Sequence, residues 1–240
     1  MDPSDGWYDI SCDENGLVTD IRLPRNGLSG SFPGEVSYLT SVGPRSTKAG
    51  DLRQIEIFHN EFLNNDAGDA WIAELGPNLS VLNYGSTSFK GPLPKLPSGI
   101  VEFDCSNTLH SGRIPEEVFQ GLQSLKVLIM DGIDFQSTVP TSIAALPSLE
   151  ILYIRETGLQ GDLSYMQDMT AIVEHLVDGN PRLTGTIPSF LGDLITLQSF
   201  SAADCGLVCT YCSGGSSYVM SLTLFLSVTR RVPCQPSLGS

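Results

Sequence analysis

Residues 149 to 164 read Leu-Glu-Ile-Leu-Tyr-Ile-Arg-Glu-Thr-Gly-Leu-Gln-Gly-Asp-Leu-Ser, and residues 183 to 188 read Leu-Thr-Gly-Thr-Ile-Pro. Both are versions of one recurring pattern: alternating apolar residues, a small polar residue, then Leu-x-Gly-x-apolar-Pro. Its anchors follow one another in steps of about 34, 27, 21, 25, 24, 24 and 24 residues; they are Ile21, Ile55, Leu82, Phe103, Leu128, Leu152, Leu176 and Phe200. Irregular sequence does not hold such a step, so the chain is a tandem repeat.

Each repeat predicts a short strand, because its apolar residues alternate as the side chains of a strand do. A single repeat cannot bury its apolar face alone, whereas stacked repeats form a parallel sheet over a continuous core. We therefore expect one elongated α/β repeat domain, with the sheet on the concave side and short helices, 3-10 turns and loops on the convex side.

A ladder position follows each strand, and most of its occupants are polar: Asn26, Asn60, Thr87, Thr108, Ile133, Thr157, Asn180 and Cys205. Polar side chains there can satisfy backbone groups where the chain turns inward. Ile133 cannot do so, and Ser137 stands where neighbouring repeats carry Gly. We expect the fifth repeat to be locally irregular.

A Gly-x-Ile-Pro turn follows the ladder at residues 112–115 and 185–188, with a variant at 91–94. Residues 183–194, Leu-x-Gly-x-Ile-Pro-x-x-Leu-Gly-x-Leu, resemble the plant-type leucine-rich repeat of extracellular receptor-like and polygalacturonase-inhibitor-like proteins. Residues 7–18 resemble the end of that family's N-terminal cap. The resemblance implies a right-handed solenoid of about eight repeats over residues 18–207, after a partial cap at 1–17 and before an atypical tail or cap at 208–240.

Two insertions lengthen early repeats. Residues 40–51 are predicted to form a polar loop. Residues 65–75 combine potential capping side chains with Trp71, Ile72 and Leu75, which predicts a short convex-side helix. Trp71 is expected in the core rather than at a ligand.

Acidic residues dominate the charge, with 27 Asp and Glu against 13 Lys and Arg and a net charge of −14. Such a surface repels phosphate, so nucleic acid is not an expected partner. The first residues are acidic and contain no apolar signal segment. Because the resemblance implies a cysteine upstream of the Trp, and Cys12 lacks that partner, we expect either an N-terminally incomplete fragment or an imperfect gene model of an extracellular or cell-surface protein. Asn78 begins a glycosylation sequon.

The tail departs from the repeat, and residues 218–228 are apolar for only 11 residues, too few for the roughly 20 that a membrane helix needs. Cys205, Cys209 and Cys212 resemble a radical S-adenosylmethionine cluster loop, and Cys234 could complete a zinc site, which leaves a metal-dependent enzyme as an alternative. The other alternative is a disulfide among Cys209, Cys212 and Cys234. Cys105 is expected to be a buried thiol.

Catalytic motifs for phosphate loops, zinc helices, nucleophile elbows and kinases do not occur. We therefore expect no enzyme and no cofactor. Of the three histidines, only His59 is expected on the ligand side; His110 is expected at the edge of the core, and two registers are possible for His175.

Recognition is predicted on the concave face, where variable strand residues need not pack inward. The candidate ligand-binding residues are Arg22, Arg25, Glu56, Phe58, His59, Asp104, Asp131, Tyr153, Arg155 and Glu156. Aromatic residues and arginine often anchor interfaces, which favours Phe58, Tyr153 and Arg155. The leading hypothesis is a non-catalytic module binding a protein, peptide or glycan as part of a receptor-like protein. A secreted inhibitor of a cell-wall-degrading glycosidase is the alternative.

Overall fold

The computed structural model of the protein describes residues 9–40 and 51–208, together with the backbone of residues 223–225. Its main element is a ten-stranded sheet. The eight inner strands run parallel to one another, and we number them as repeats 1 to 8: Val18–Arg22, Gln54–Glu56, Val81–Asn83, Glu102–Asp104, Val127–Ile129, Ile151–Tyr153, Glu174–Leu176 and Ser199–Ser201. The predicted stack of parallel repeats is confirmed.

An antiparallel strand covers each edge of this parallel array. Ile10–Cys12 pairs with repeat 1, and Thr223–Phe225 pairs with repeat 8. Open edges present unpaired N–H and C=O groups, and these two strands occupy those groups on the outermost repeats.

One buried residue per strand forms the core side of the sheet, and we call it the rung residue. The rung residues pair in register across the whole array: Ile21, Ile55, Leu82, Phe103, Leu128, Leu152, His175 and Phe200. All are at most 6% exposed. Each pair of flanking residues lies on the opposite, outward side, as the two-residue period requires.

The seventh rung corrects the sequence prediction, which placed Leu176 there. His175 is the rung residue, and Leu176 lies beside it, half-buried on the outward side. The ladder residue follows the rung by five positions in the other repeats, and Asn180 keeps that distance from His175. The extra residue is accommodated after Asn180, before the Gly185 turn.

Ladder side chains bond the backbone as predicted. The Asn60 side chain accepts hydrogen bonds from the N–H groups of Asn26 and Leu28, both at 3.0 Å, and donates to the carbonyls of Leu23 and Ile57, both at 2.8 Å. Asn180 does the same across repeats 6 and 7. Simpler bonds to the carbonyl three residues earlier are made by Thr87, Thr108 and Thr157.

The first ladder residue is an exception, since Asn26 is exposed. The asparagine side chains at the ladder position form hydrogen bonds with the backbone of the preceding repeat, and no repeat precedes repeat 1.

After the ladder, further short strands pair between neighbouring repeats. Ser29–Ser31, Asn60–Asn64 and Thr87–Ser88 form one group, Lys90–Gly91 pairs with Leu109–His110, and Thr184–Thr186 pairs with Gly206–Val208. The turn there has a positive φ of 83° to 97° at Gly30, Gly91, Gly112, Gly161 and Gly185, a conformation that glycine adopts without steric strain.

The fifth repeat departs from this turn, as Ser137 led us to expect. The left-handed conformation moves to Gln136, whose φ is 48°. Ile133 at the ladder is fully buried, so it adds to the core but bonds no backbone group.

Short helices connect the repeats. They are the 3-10 helices Gly34–Leu39, Leu163–Asp168 and Ser189–Asp193 and the α-helices Ala70–Glu74, Glu116–Phe119 and Thr141–Ala144. Proline stands just before four of them, at Pro33, Pro115, Pro140 and Pro188, where its fixed φ suits the start of a helix.

The predicted convex-side helix is Ala70–Glu74, and Trp71 is buried with its ring centroid 5.0 Å from that of Phe32. Its position in the core is therefore confirmed. The expected cap is not made, because Asp69 precedes the helix without a side-chain cap bond; the nearby Asn65 instead bonds both backbone groups of Lys90 at 3.0 Å.

Candidate functional site

The outward side of the main sheet carries the candidate residues, in columns that run across the strands. The column before the rung reads Asp20, Gln54, Val81, Glu102, Val127, Ile151, Glu174 and Ser199, and the column after the rung reads Arg22, Glu56, Asn83, Asp104, Ile129, Tyr153, Leu176 and Ser201. We call this surface the sheet face, and we include in it Phe58, Asp131 and Arg155, which lie three positions after their rungs and are half-buried or exposed. Arg22, Glu56, Asp104 and Tyr153 lie directly on it.

Three candidate residues, Arg25, His59 and Glu156, are exposed four positions after their rungs, and each has a φ between 55° and 56°. Their N–H groups donate to the carbonyls of Phe58, Gly85 and Asp178 in the next repeat. The left-handed backbone conformation at these residues thus continues the hydrogen bonds between neighbouring repeats beyond the ends of the strands.

The sequence analysis did not predict the left-handed backbone of this column, whose other members are Ser86, Asn107, Gly132, Gly179 and Asp204. The signal was present in the sequence, because Gly132 and Gly179 occupy this position in repeats 5 and 7. Non-glycine residues pay about 1 kcal/mol or more to adopt it.

At the first end of the sheet face, Arg22 contacts three side chains. It donates to Gln54 Oε1 at 2.7 Å and lies 3.2 Å from Asp20 and 3.6 Å from Glu56. In the next repeat, Phe58 packs edge-on against His59, with ring centroids 5.5 Å apart. Arg22, Glu56, Phe58 and His59 thus combine charge and aromatic surface.

Asp104, in repeat 4, is held by its own turn. Its Oδ1 accepts the Ser106 N–H at 2.9 Å and the Ser106 hydroxyl at 2.7 Å. The carboxylate orientation is therefore fixed locally, without a cation.

Repeats 5 to 7 contain the best-connected group, which we call the Tyr153 cluster: Asp131, Tyr153, Arg155 and Glu174. Arg155 donates from Nε and one terminal nitrogen to Asp131 Oδ2 at 2.9 and 2.6 Å, and its guanidinium carbon lies 5.6 Å from the centre of the Tyr153 ring. The Tyr153 hydroxyl donates to Glu174 Oε2 at 2.5 Å. Each side chain is thus held by a neighbour from an adjacent repeat.

Two pKa shifts follow from these contacts. Burial and then the Glu174 hydrogen bond raise the pKa of Tyr153 to about 12. The hydrogen bond to Asp131 raises the pKa of Arg155. The tyrosine therefore remains a hydrogen-bond donor and the arginine a cation over the physiological range.

The candidate residues are therefore not one compact pocket. Repeats 2 and 6 are four strand spacings apart, roughly 19 Å. Phe58 and Tyr153 therefore lie on the same side of the sheet but far from each other. Glu174, which completes the Tyr153 cluster, was not among the predicted residues, because the predicted residues follow the rung and Glu174 stands in the column before it.

The two remaining histidines lie in the core. His175 contacts the Leu152 carbonyl through Nδ1 at 2.9 Å and the Tyr165 hydroxyl through Nε2 at 2.6 Å. The carbonyl can only accept, so Nδ1 carries the proton and Nε2 accepts from Tyr165. Burial lowers the pKa of His175 to about 4 and also lowers the pKa of His110, which bonds Tyr84 and the Gly91 carbonyl.

Of the four cysteines predicted as metal or disulfide partners, Cys205 is the one within the described residues. Cys209, Cys212 and Cys234 lie outside the described residues. Cys205 is 2% exposed, with Sγ 3.2 Å from the Val177 carbonyl, and burial raises its pKa. Cys205 therefore occupies the ladder position of repeat 8 as a buried thiol. Cys105 is the buried thiol expected.

Asn78, the predicted glycosylation position, is exposed in the turn before repeat 3, and its amide donates to Asp51 at 3.2 Å. None of the helices in the described ranges has the length and apolar character that a bilayer crossing requires.

We compared the sequence and the fold of this chain with those of known proteins. No family model matches the chain. A curated relative, the receptor-like kinase TMK2 of Arabidopsis thaliana, is 26% identical over 223 residues, which are 85% of this chain and 25% of that protein. This chain therefore spans about a quarter of the length of that relative.

Solved structures share the fold. The leucine-rich-repeat ectodomain of the Arabidopsis thaliana receptor kinase GASSHO1/SCHENGEN3, in complex with CASPARIAN STRIP INTEGRITY FACTOR 2, aligns with a TM-score of 0.67 at 22% identity, over 84% of this chain and 23% of that one. The Arabidopsis HAESA ectodomain, in complex with an N-terminally extended IDA peptide hormone ligand, aligns with a TM-score of 0.62 at 20% identity, over 85% of this chain and 36% of that one.

The chain thus has the leucine-rich-repeat fold. Its sequence is similar to that of a plant receptor-like kinase, in agreement with the resemblance that residues 183–194 carry.

Proposed function

We propose that this chain is a non-catalytic recognition module that binds a protein, peptide or glycan ligand on the sheet face, as the extracellular part of a receptor-like surface protein. In this proposal the coil is right-handed, with the sheet face on its concave side. The partial cap spans residues 1–17, the repeats span 18–207, and residues 208–240 form an atypical tail or cap.

The Tyr153 cluster is the observation that carries the proposal. It presents an aromatic ring and a guanidinium, the groups most often found at the energetic centre of interfaces. Both are already held by Glu174 and Asp131, so a ligand would not have to order them, and less entropy is lost on binding.

The extent of the sheet face supports the same function. Eight strands at the usual spacing give a surface roughly 34 Å long. Arg22 and Phe58 near one end and Tyr153 and Arg155 further along could contact one extended ligand. The HAESA and GASSHO1/SCHENGEN3 ectodomains share this fold and were solved in complex with a ligand, which supports recognition without identifying the ligand of this chain.

A selection with defined probes tests the proposal. The full chain is screened against a display library of random 12-residue peptides and against a glycan array, and each binder is retested with the combined F58A, Y153A and R155A variant. We expect that variant to lose binding while its circular dichroism is unchanged.

The matched control combines F62A, L109A and R113A, because these side chains are also exposed but lie outside the sheet face. Binding that survives the sheet-face variant but not this control would place recognition elsewhere and contradict the proposal. Inhibition assays on a panel of cell-wall glycosidases test the inhibitor alternative in the same preparation.

A further inference from the structure

An apolar strip interrupts the polar sheet face between repeats 5 and 7. It consists of Val127, Ile129, Ile151, Tyr153 and Leu176, all half-buried on the outward side. Val127 pairs directly with Ile151, and Tyr153 pairs with both Ile129 and Leu176. In a half-buried strand, apolar residues are expected on the core side rather than on the outward side, and a contiguous apolar patch that is partly open to solvent commonly marks an interaction site.

Carboxylates border this strip at both ends. The column before the rung reads Glu102, Val127, Ile151 and Glu174 across repeats 4 to 7, so an acid stands on each side of two aliphatic residues. Asp104, Glu156 and Asp178 add negative charge beside them. Within the described part of the chain, none of these five carboxylates forms an ion pair.

The cations of the same region are already neutralised. Arg155 is paired with Asp131 at 2.6 Å, and Lys126 is paired with Glu150 at 2.7 Å. The electrostatic potential over the apolar strip is therefore negative, and it favours a partner that carries positive charge.

The spacing of the column specifies that partner further. Glu102 and Glu174 are three strand spacings apart, roughly 14 Å. In an extended peptide laid across the strands, side chains i, i+2 and i+4 point to the same side and span roughly 13 Å. A cation, an apolar side chain and a second cation at these positions would meet Glu102, the Val127–Ile151 pair and Glu174 in turn.

Resting on the proposed recognition function, we propose that the ligand of the sheet face is a basic peptide segment of the form cation-x-apolar-x-cation, bound in extended conformation across repeats 4 to 7. The apolar side chain provides the burial, and the two cations set the position of the peptide along the column.

An array of immobilised heptapeptides tests this directly. The probe is Ser-Lys-Ser-Leu-Ser-Lys-Ser, compared with versions in which Glu replaces both Lys or Ser replaces Leu. A fourth peptide, Ser-Lys-Leu-Lys-Ser-Ser-Ser, has the same composition with the wrong spacing. We expect the probe to bind the full chain about tenfold or more above each of the other three, and to weaken as salt is raised.

Protein variants assign the contact. The double variant E102Q/E174Q should lose this preference, and I129T/L176T should weaken the probe without removing its preference for Lys over Glu. Threonine keeps the strand propensity at these positions. The matched control E61Q/E117Q removes the same charge from exposed side chains outside the sheet face and should leave binding unchanged.

Several results would overturn the inference: no binding of the probe, equal binding of the wrongly spaced peptide, or a preference unaffected by E102Q/E174Q. If the random library yields acidic or neutral ligands that depend on Phe58, Tyr153 and Arg155, the basic-peptide inference fails while the recognition function stands. If no library ligand depends on the sheet face, the recognition function itself fails.

Discussion

Asp131 holds Arg155 through three hydrogen bonds that cross from repeat 5 to repeat 6. Its Oδ1 accepts the backbone N–H of Arg155 at 2.7 Å, and its Oδ2 accepts Nε and a terminal guanidinium nitrogen. One carboxylate thus fixes both the main chain and the side chain of its neighbour.

The first prediction concerns this pair. Because Arg155 remains 44% exposed, the charge interaction is screened, and a double-mutant cycle with D131A and R155A should give a coupling energy of about 0.5 to 1 kcal/mol. D131A should destabilise more than R155A, since it also leaves the Arg155 N–H without its acceptor. Urea unfolding measures both, and an R155A variant that is the less stable of the two would contradict this reading.

The second prediction concerns the rung at Leu152. This side chain is fully buried between Leu128 and His175, so Leu152→Ala should lower the free energy of unfolding by about 2 to 5 kcal/mol. The outward residue Ile151 of the same strand provides the control, because Ile151→Thr should cost less. Equal effects of the two substitutions would show that the strand faces are wrongly assigned.

The third prediction is a loss of stability at acidic pH caused by His175. Its pKa falls from the ordinary 6.5 to about 4 in the folded chain, so the unfolded chain binds the proton more tightly. The stability linked to neutral His175 is complete above pH 6.5 and is lost as the pH falls towards 4, by about 3 kcal/mol in total.

Comparison of His175→Leu with His59→Gln checks this origin. His59→Gln serves as the control, because it also removes one imidazole but at an exposed position outside the core. His175→Leu should flatten the profile between pH 6.5 and 4. An unaltered profile in that variant would assign the acid sensitivity to other groups.

The fourth prediction concerns the left-handed column. Gly132 has a φ of 68°, and a Cβ there would lie 2.4 Å from Asn107 Oδ1, so Gly132→Ala should destabilise by about 1 kcal/mol or more. Glu156 has a φ of 55° at the equivalent position, and Glu156→Gly should be neutral or stabilising. Thermal melts should therefore give a lower melting temperature for Gly132→Ala and an equal or higher one for Glu156→Gly, and a large destabilisation by Glu156→Gly would refute the strain argument.

Much of the fold could be predicted from sequence, because the spacing of the apolar residues and the positions of the ladder residues independently indicate the same repeat boundaries. Seven of the eight rungs follow directly from alternation. His175 was misassigned because a histidine is not expected in the core, and its burial depends on Leu152 and Tyr165, which are partners from other parts of the chain.

The candidate site was less predictable. Strand alternation places Glu56, Asp104 and Tyr153 on the outward side, but it contains no information on which side chains meet across repeats. The contact of Tyr153 with Glu174 depends on the register of repeat 7, and the left-handed column depends on backbone geometry that only Gly132 and Gly179 signal.

The distance of five positions from rung to ladder holds in every repeat, from Ile21 and Asn26 to Phe200 and Cys205, although successive rungs lie between 21 and 34 residues apart. Differences in length are therefore absorbed behind the sheet, in the helices and loops. The side chains on the sheet face, such as Tyr153 and Glu102, and the length of the loops on the far side can consequently vary independently, so insertions can be tolerated without a change to the sheet face.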